Sequence, residues 1–326
     1  MLQNALPPDS QSSQTLPAAR KGRSLNPLTW LGELSESRYW AYLLLLPSLL
    51  LVVAVIVYPV FYGVYLSFQQ FNLLRAGLGM KFVGLQQYTE LFADDDFWVI
   101  IKNTFVWVFG GAFSQFFLGL VVALALNRKN LKGGPLARVL LLLPWVIPSV
   151  VAGHMWALLL DSRLGVINDI LVKLGILASY RAWFADPSTA MPAVLLVDMW
   201  RGTPFFTLLL YAGLQSIPEE LYEAAEVDGA SGWAKFRAIT IPMLTPVIVA
   251  AVILRVIGLV NSPDLMIVLT NGGPGLATFT LSLYAFQIAY ENFNFGAAAA
   301  VSVIMLLILM VFTTLYLKFS GVTKNT

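Results

Sequence analysis

The chain has 326 residues, of which 58% are hydrophobic and only 12% charged, with a formal net charge of +2, a mixture outside the range of soluble globular domains. It has no cysteine and one histidine, His154, which excludes disulfides, thiolate chemistry, Cys- or His-rich metal sites and most histidine-based catalysis. No P-loop pattern occurs, so nucleotide binding of that kind is excluded too.

Residues 1–37 are rich in Gln, Ser and Pro, carry Arg20, Lys21 and Arg23, and show no apolar periodicity, which predicts a disordered tail. They lack the short apolar core and small-residue cleavage site of a signal peptide. From Tyr39 onward, six uncharged runs reach the roughly 20 residues that a bilayer-spanning helix needs: 39–68, 100–127, 138–160, 189–215, 240–262 and 295–318. No barrel-type alternation is present, and a helix bundle is the other way to satisfy backbone polar groups in lipid. The expected fold class is therefore an all-α integral membrane protein with six transmembrane helices.

Asn103-Thr104 opens the second span, and Pro144 and Pro148 are placed to kink the third. His154 falls near the outer end of that span, where an interfacial polar role is expected. The fourth span carries Asp198 and Arg201 at i, i+3, able to pair on one helix face, with Pro204 placed to break the helix just beyond. Arg255 lies in the fifth. At a rise of 1.5 Å per residue, Arg201 is about 18 Å from one end of its span and Arg255 about 21 Å from the opposite side. Both are thus near mid-depth, where an unpaired arginine costs about 2.5–3.5 kcal/mol, so each must face protein or water. Ion pairing that holds the helices and a lining of a translocation path are both compatible with this. Trp145, Trp156, Trp200, Phe205 and Phe206 suit stacking on a sugar ring, and equally packing or interfacial anchoring.

Between the fourth and fifth spans lies a charged stretch. Ser216-Ile217-Pro218-Glu219 has the pattern of a capping box. Glu219, Glu223 and Glu226 then fall on one face of a short helix, with Leu221, Ala224 and Ala225 opposite. Gly229 ends this helix, and Ser231 is placed to cap a second one carrying Trp233, Phe236 and Arg237 before Pro242 enters the next span. An ordinary amphipathic surface helix fits this composition, and so does a helix pressed against a partner.

Orientation follows from Lys and Arg near the span ends. Arg20, Lys21, Arg23, Arg38, Arg128, Lys129, Lys132, Arg138, Lys235, Arg237, Lys318 and Lys324 fall on one side, twelve in all, against six on the other: Arg75, Lys81, Lys102, Arg163, Lys173 and Arg181. The richer side holds both termini and the charged stretch, and it is expected to be cytoplasmic.

Glu223, Ala224, Ala225, Gly229, Ile239 and Pro242, with Ile241 between the last two, meet every fixed position of a pattern that resembles the cytoplasmic EAA loop of ABC importer permeases. Phe82-Val83-Gly84-Leu85 with Tyr88, Leu143-Pro144-Trp145, Trp200 to Phe205, and Leu269-Thr270-Asn271-Gly272-Gly273-Pro274 extend the resemblance over roughly residues 40–320. These pieces resemble the first permease of maltose- and glycerol-phosphate-type importers.

The resemblance implies a type I importer permease fold with a cytoplasmic coupling helix: a domain over 38–320, a coupling loop over 217–242, and cytoplasmic tails at 1–37 and 321–326. It implies that Glu223, Ala224, Ala225, Asp228, Gly229, Phe236 and Pro242 meet an ATPase, Glu223 pairing with a basic residue there. The implied partners are a second, homologous permease, an ABC ATPase dimer that uses ATP and Mg, an extracytoplasmic solute-binding protein and the bilayer of a bacterial inner membrane. No nucleic acid, no directly bound cofactor and no catalysis by this chain are implied. The implied cargo is a carbohydrate or polyol, with an anionic sugar derivative as one form. Candidate path residues are Asp198, Trp200, Arg201, Arg255, Asn261, Ser262 and Asp264. The sequence departs from the family at Gly258, Asn261 and Pro263, where Asp, a basic residue and Phe are expected. An importer for another small solute is the nearest alternative. An ion-coupled secondary transporter would need inverted repeats and intramembrane acids, for which only Asp198 and Asp264 are available.

Overall fold

The computed structural model describes residues 40–128 and 133–321. The predicted tails (Gly321 apart), with Arg20, Lys21, Arg23, Arg38 and Lys324, and also Lys129 and Lys132, lie outside the described residues.

The described chain divides after Val60 into two units. In the first, α1 (Trp40–Val52) passes through a π-helical turn (Val53–Val57) into the start of α2 (Tyr58–Leu66). Pro59 accounts for the π turn. Its ring collides with the carbonyl four residues back and it has no N–H to donate, so the turn before it widens and Tyr58 N–H reaches Val53 O instead.

The second unit runs from Phe61. Strands β1 (Gln69–Gln70) and β2 (Lys81–Phe82) pair antiparallel, Gln69 opposite Phe82, around a 3₁₀ segment (Leu73–Leu78). Helices follow as α3 (Gln86–Ala93), α4 (Asp95–Leu126), α5 (Gly134–Val146), α6 (Ser149–Leu159), α7 (Val166–Lys173), α8 (Pro187–Gln215), α9 (Glu219–Val227), α10 (Gly232–Lys235), a π turn (Phe236–Thr240), α11 (Ile241–Asn261), α12 (Asp264–Leu269), α13 (Leu281–Tyr290) and α14 (Phe295–Ser320). The second π turn again precedes a proline, Pro242.

Among the described residues, five helices are long and apolar enough to cross a membrane: Leu44–Leu66, Asp95–Leu126, Pro187–Gln215, Gly232–Asn261 and Phe295–Ser320. The predicted third span is a pair, α5 and α6, bent by 97°. The break falls at Ile147 (φ −68°, ψ 126°), because a residue before proline is driven out of the helical region. Pro148 is therefore the breaker, while Pro144 stays inside α5. Pro204 does not break α8, contrary to expectation. The helix runs on through it with one backbone bond fewer, that to the Trp200 carbonyl, while the Thr203 and Thr207 hydroxyls donate to the neighbouring carbonyls of Met199 (2.6 Å) and Thr203 (3.0 Å). Asn103-Thr104 likewise does not open the second span. Asp94 caps α4 by accepting from Asp96 N–H at 3.0 Å, and Asn103 and Thr104 sit two turns further in. There Asn103 donates to Leu276 O (2.5 Å), and Thr104 Oγ1 accepts from Leu281 N–H (2.8 Å).

The core is organised on α4 and α8. One cluster gathers Phe97, Trp107, Val194, Val197, Leu259, Met266 and Leu283, and a second gathers Ala123, Phe206, Leu210, Leu214, Ile217 and Leu244. Lipid gives helices no hydrophobic reason to associate, so close approach and packing must supply it. Gly119 makes that approach possible: a Cβ there would lie 2.6 Å from Phe206 Cβ and 3.1 Å from the Thr207 nitrogen. Gly119→Val is expected to destabilise the purified protein by about 1–3 kcal/mol through overpacking. Gly258→Ala, which meets nothing within 4 Å, should leave the thermal midpoint unchanged or raised.

Candidate functional site

Two features concentrate the chemistry. The first is a buried polar cluster joining α4, α8 and α11. Asp198 on α8 is 1% exposed at its side chain, and Arg255 on α11 donates to both of its oxygens, at 2.8 and 3.0 Å. Gln115 on α4 closes the triangle. Its amide donates to Asp198 Oδ2 (2.5 Å) and to the Asp198 carbonyl (3.2 Å), and its oxygen accepts from Arg255 Nε at 2.5 Å. Every strong group in the triangle is matched, as a low-dielectric interior demands.

The expected pairing of Asp198 with Arg201 is present only as a long ion pair. Arg201 comes no closer than 3.8 Å to Asp198, beyond hydrogen-bond length, because the crossing helix α11 delivers a guanidinium to the carboxylate more directly than the next turn of α8 does. Arg201 keeps its side chain 19% exposed and its Nε without an acceptor. Two guanidiniums thus share one carboxylate. Alongside, Trp200 meets Trp156 edge to face at 5.7 Å, and Trp156 Nε1 is also buried without a partner.

The remaining candidate path residues do not join this cluster. Asn261 is six residues beyond Arg255, about 9 Å along the axis, and donates back to Ile257 O at 2.8 Å. It lines a groove with Ser302, Met305 and Met310. Asp264 accepts from Ser262 (3.1 Å) and from Ser149 (3.2 Å), the first residue after the 97° bend, so it ties α12 to the broken span.

The second feature is the loop from Ile217 to Pro242. The capping box does not form. Ser216 instead donates to Gly213 O at 2.8 Å, closing the end of α8, and α9 starts from Pro218 without a side-chain cap. The buried face of α9 also differs from expectation: Tyr222 and Ala225 turn inward, whereas Leu221 and Ala224 are exposed. Tyr222 is large enough to reach the core from this face. Glu223, Glu226, Asp228 and Gly229 are exposed, Phe236 is half-buried and Pro242 exposed. Gly229 has φ +75°, with Gly229 N–H donating to Glu226 O (3.0 Å) and Ala230 N–H to Ala225 O (2.8 Å), a Schellman closure that only a left-handed residue completes. Ser231 caps α10 as expected, accepting from Ala234 N–H at 3.3 Å. Lys235 pairs with Glu226 at 3.1 Å. Glu219, Tyr222, Glu223 and Glu226 line an open cleft of about 880 Å³ with Asn127, Ile217 and Thr240, and Val227 and Trp233 stand 89% and 69% exposed at the tip.

A family model described as binding-protein-dependent transport system inner membrane component matches residues 115–320, which take in both features. The chain belongs to this family. It is 38% identical over 277 residues to the trehalose/maltose transport system permease protein MalF of Thermococcus litoralis, covering 85% of this chain and 92% of that one. It is 40% identical over 250 residues to the sulfoquinovosyl glycerol transport system permease protein SmoG of Agrobacterium fabrum, covering 77% and 80%. The fold resembles a chain of a bacterial ABC transporter involved in the import of the acidic polysaccharide alginate, with a TM-score of 0.74 at 22% identity over 90% of this chain and 98% of that one. The protein is a multi-pass permease component of a transport system, with the type I importer permease fold.

Sequence reasoning missed Gln115, Ser149, Tyr222 and Thr240 in this permease. Gln115 carried a usable signal, an amide inside a long apolar run that must find partners. For the other three the sequence offered no comparable signal. Because Asp198 is buried, Arg255→Gln should strand its charge and cost the solubilised permease about 3–5 kcal/mol. Adding Asp198→Asn should recover part of that loss, and thermal melting of both variants checks it.

Proposed function

We propose that this permease forms the membrane path of an ATP-driven importer for a carbohydrate or polyol, in company with a second permease, a separate ABC ATPase dimer and an extracytoplasmic binding protein. The observation that carries the reading is the loop of α9 and α10. It sets three glutamates around a cleft and holds Val227 and Trp233 out in water, a surface suited to a partner with basic and apolar groups. In this reading ATP and Mg belong to the ATPase, this chain binds no cofactor and performs no hydrolysis, and Glu223, Ala224, Ala225, Asp228, Gly229, Phe236 and Pro242 form the docking surface. The carbohydrate cargo is supported by the relatives named for trehalose/maltose and sulfoquinovosyl glycerol. Docking and separation of the ATPases would swing the helices so that the path opens alternately to each side.

The loop and both termini are assigned to the cytoplasm from the excess of basic residues. The chain has no native cysteine, so single-cysteine labelling tests this directly. Ala230→Cys should react only from inside and Glu90→Cys only from outside, and external labelling at 230 would overturn the docking reading. Glu223→Ala and Gly229→Leu should each lower retention of the ATPase, or uptake per ATP, by about tenfold or more, with the permease still in the membrane. Normal uptake by the double variant would count against the proposal.

One observation favours an anionic cargo within this class. Arg201 is undercompensated and retains an unmatched donor, so a carboxylate, sulfonate or phosphate on the sugar would complete its partners. Arg201→Gln should then raise the KM for an anionic sugar by about tenfold and leave neutral sugars unaffected. Equal effects on both cargoes return Arg201 to a structural role.

A further inference from the structure

The docking surface on α9 must act on the membrane helices to be of use, and α9 is joined in sequence to both α8 and α11. The two connections are unequal. Towards α8, the chain turns through Ser216–Pro218 with long backbone bonds, Ile217 N–H to Leu214 O at 3.4 Å and Leu221 N–H to Pro218 O at 3.3 Å. Towards α11, side chains close the gap. The Tyr222 hydroxyl and Thr240 Oγ1 are hydrogen-bonded at 2.9 Å across eighteen residues of chain, and Thr240 is only 4% exposed. The Tyr222 ring packs on the cluster that holds Ala123, Leu214, Ile217 and Leu244, and the bond is part-buried in the wall of the cleft. The Glu226–Lys235 pair runs parallel to it, but Glu226 is 76% exposed and solvent screens that contact.

Thr240 is the last residue of the π turn from which α11 departs, and α11 carries Arg255 to Asp198 and Gln115. A part-buried bond at the start of α11 and a buried ion pair further along it tie the helix at two points. We infer that Tyr222 and Thr240 are positioning residues for coupling: their hydrogen bond passes displacement of α9 to α11. The inference rests on the reading of residues 217–242 as the docking loop. It assigns a role to two residues that lie in the wall of the cleft, outside the docking residues named in that reading.

The test uses the complete complex in proteoliposomes, with the binding protein supplied, and reads ATP hydrolysed per sugar molecule imported. Tyr222→Phe removes a single oxygen, and Thr240→Val removes the hydroxyl at nearly constant shape. Each should raise the ratio by about fivefold, the size expected for loss of one part-buried hydrogen bond. Thr240→Ser keeps the hydroxyl and should hold the ratio near that of the unaltered complex. The double variant Tyr222→Phe with Thr240→Val should be no worse than either single, because both delete the same bond. An unchanged ratio in both single variants overturns the inference. So does a double variant whose effect is the product of the two singles, or a Thr240→Ser complex as poorly coupled as Thr240→Val. If Tyr222→Phe prevents assembly, the contrast between Thr240→Val and Thr240→Ser decides. Crosslinking of Ala230→Cys to the ATPase in the otherwise unaltered complex separates the two readings. No crosslink overturns the docking loop itself, whereas a crosslink with unchanged ratios overturns only the role of Tyr222 and Thr240.

Discussion

The carboxylate of Asp198 is the point on which the packing of the membrane helices turns. A buried anion on α8 has to be met by cation and amide, and the groups that meet it come from two other helices, Arg255 on α11 and Gln115 on α4. Each partner leaves water or lipid only because the other two are already there. The three helices are therefore held in one relative register by charge as well as by shape. The apolar clusters on either side of the triangle can then pack without having to specify that register alone.

Prolines shape the rest of the architecture, and in three different ways. Pro59 and Pro242 each widen the turn before them into a π turn, Pro148 breaks a span through nearly a right angle, and Pro204 lies in a helix that runs on unbroken. The outcome in each case depends on what surrounds the freed carbonyl. Where the turn before the proline can widen the helix continues, and where the preceding residue is free to extend it breaks. Asp264 then receives Ser149 at the start of α6, so the break is fastened to α12.

The long apolar runs and the glycine at 229 were legible in the sequence because each rests on a local property: run length, or a backbone angle that one residue type adopts freely. The charge cluster was only half legible. Asp198, Arg201 and Arg255 announce themselves as ions in apolar surroundings, but which arginine reaches the acid depends on the crossing of α8 and α11, and no spacing along one helix contains that. The face of α9 was misread for a similar reason. Counting apolar side chains favours Leu221 and Ala224, whereas the core beside α9 selects the longest reach, that of Tyr222. The short helices α3, α7, α12 and α13 were not foreseen, since their residues carry neither the length of a span nor a cap strong enough to mark them.

Gly202 gives the cluster an evolutionary consequence. A Cβ at that position would fall 2.2 Å from Gln115 Oε1 and 2.7 Å from an Arg255 nitrogen, so no other residue fits while the triangle stands. The four positions 115, 198, 202 and 255 are consequently unable to drift one at a time. A lineage that loses the glycine must already have lost the amide or the arginine, and a lineage that keeps the ions must keep the glycine. Covariation among these four positions would divide permeases of this kind into those that fix their helices by a buried ion triangle and those that have replaced it, a division that overall similarity does not reveal.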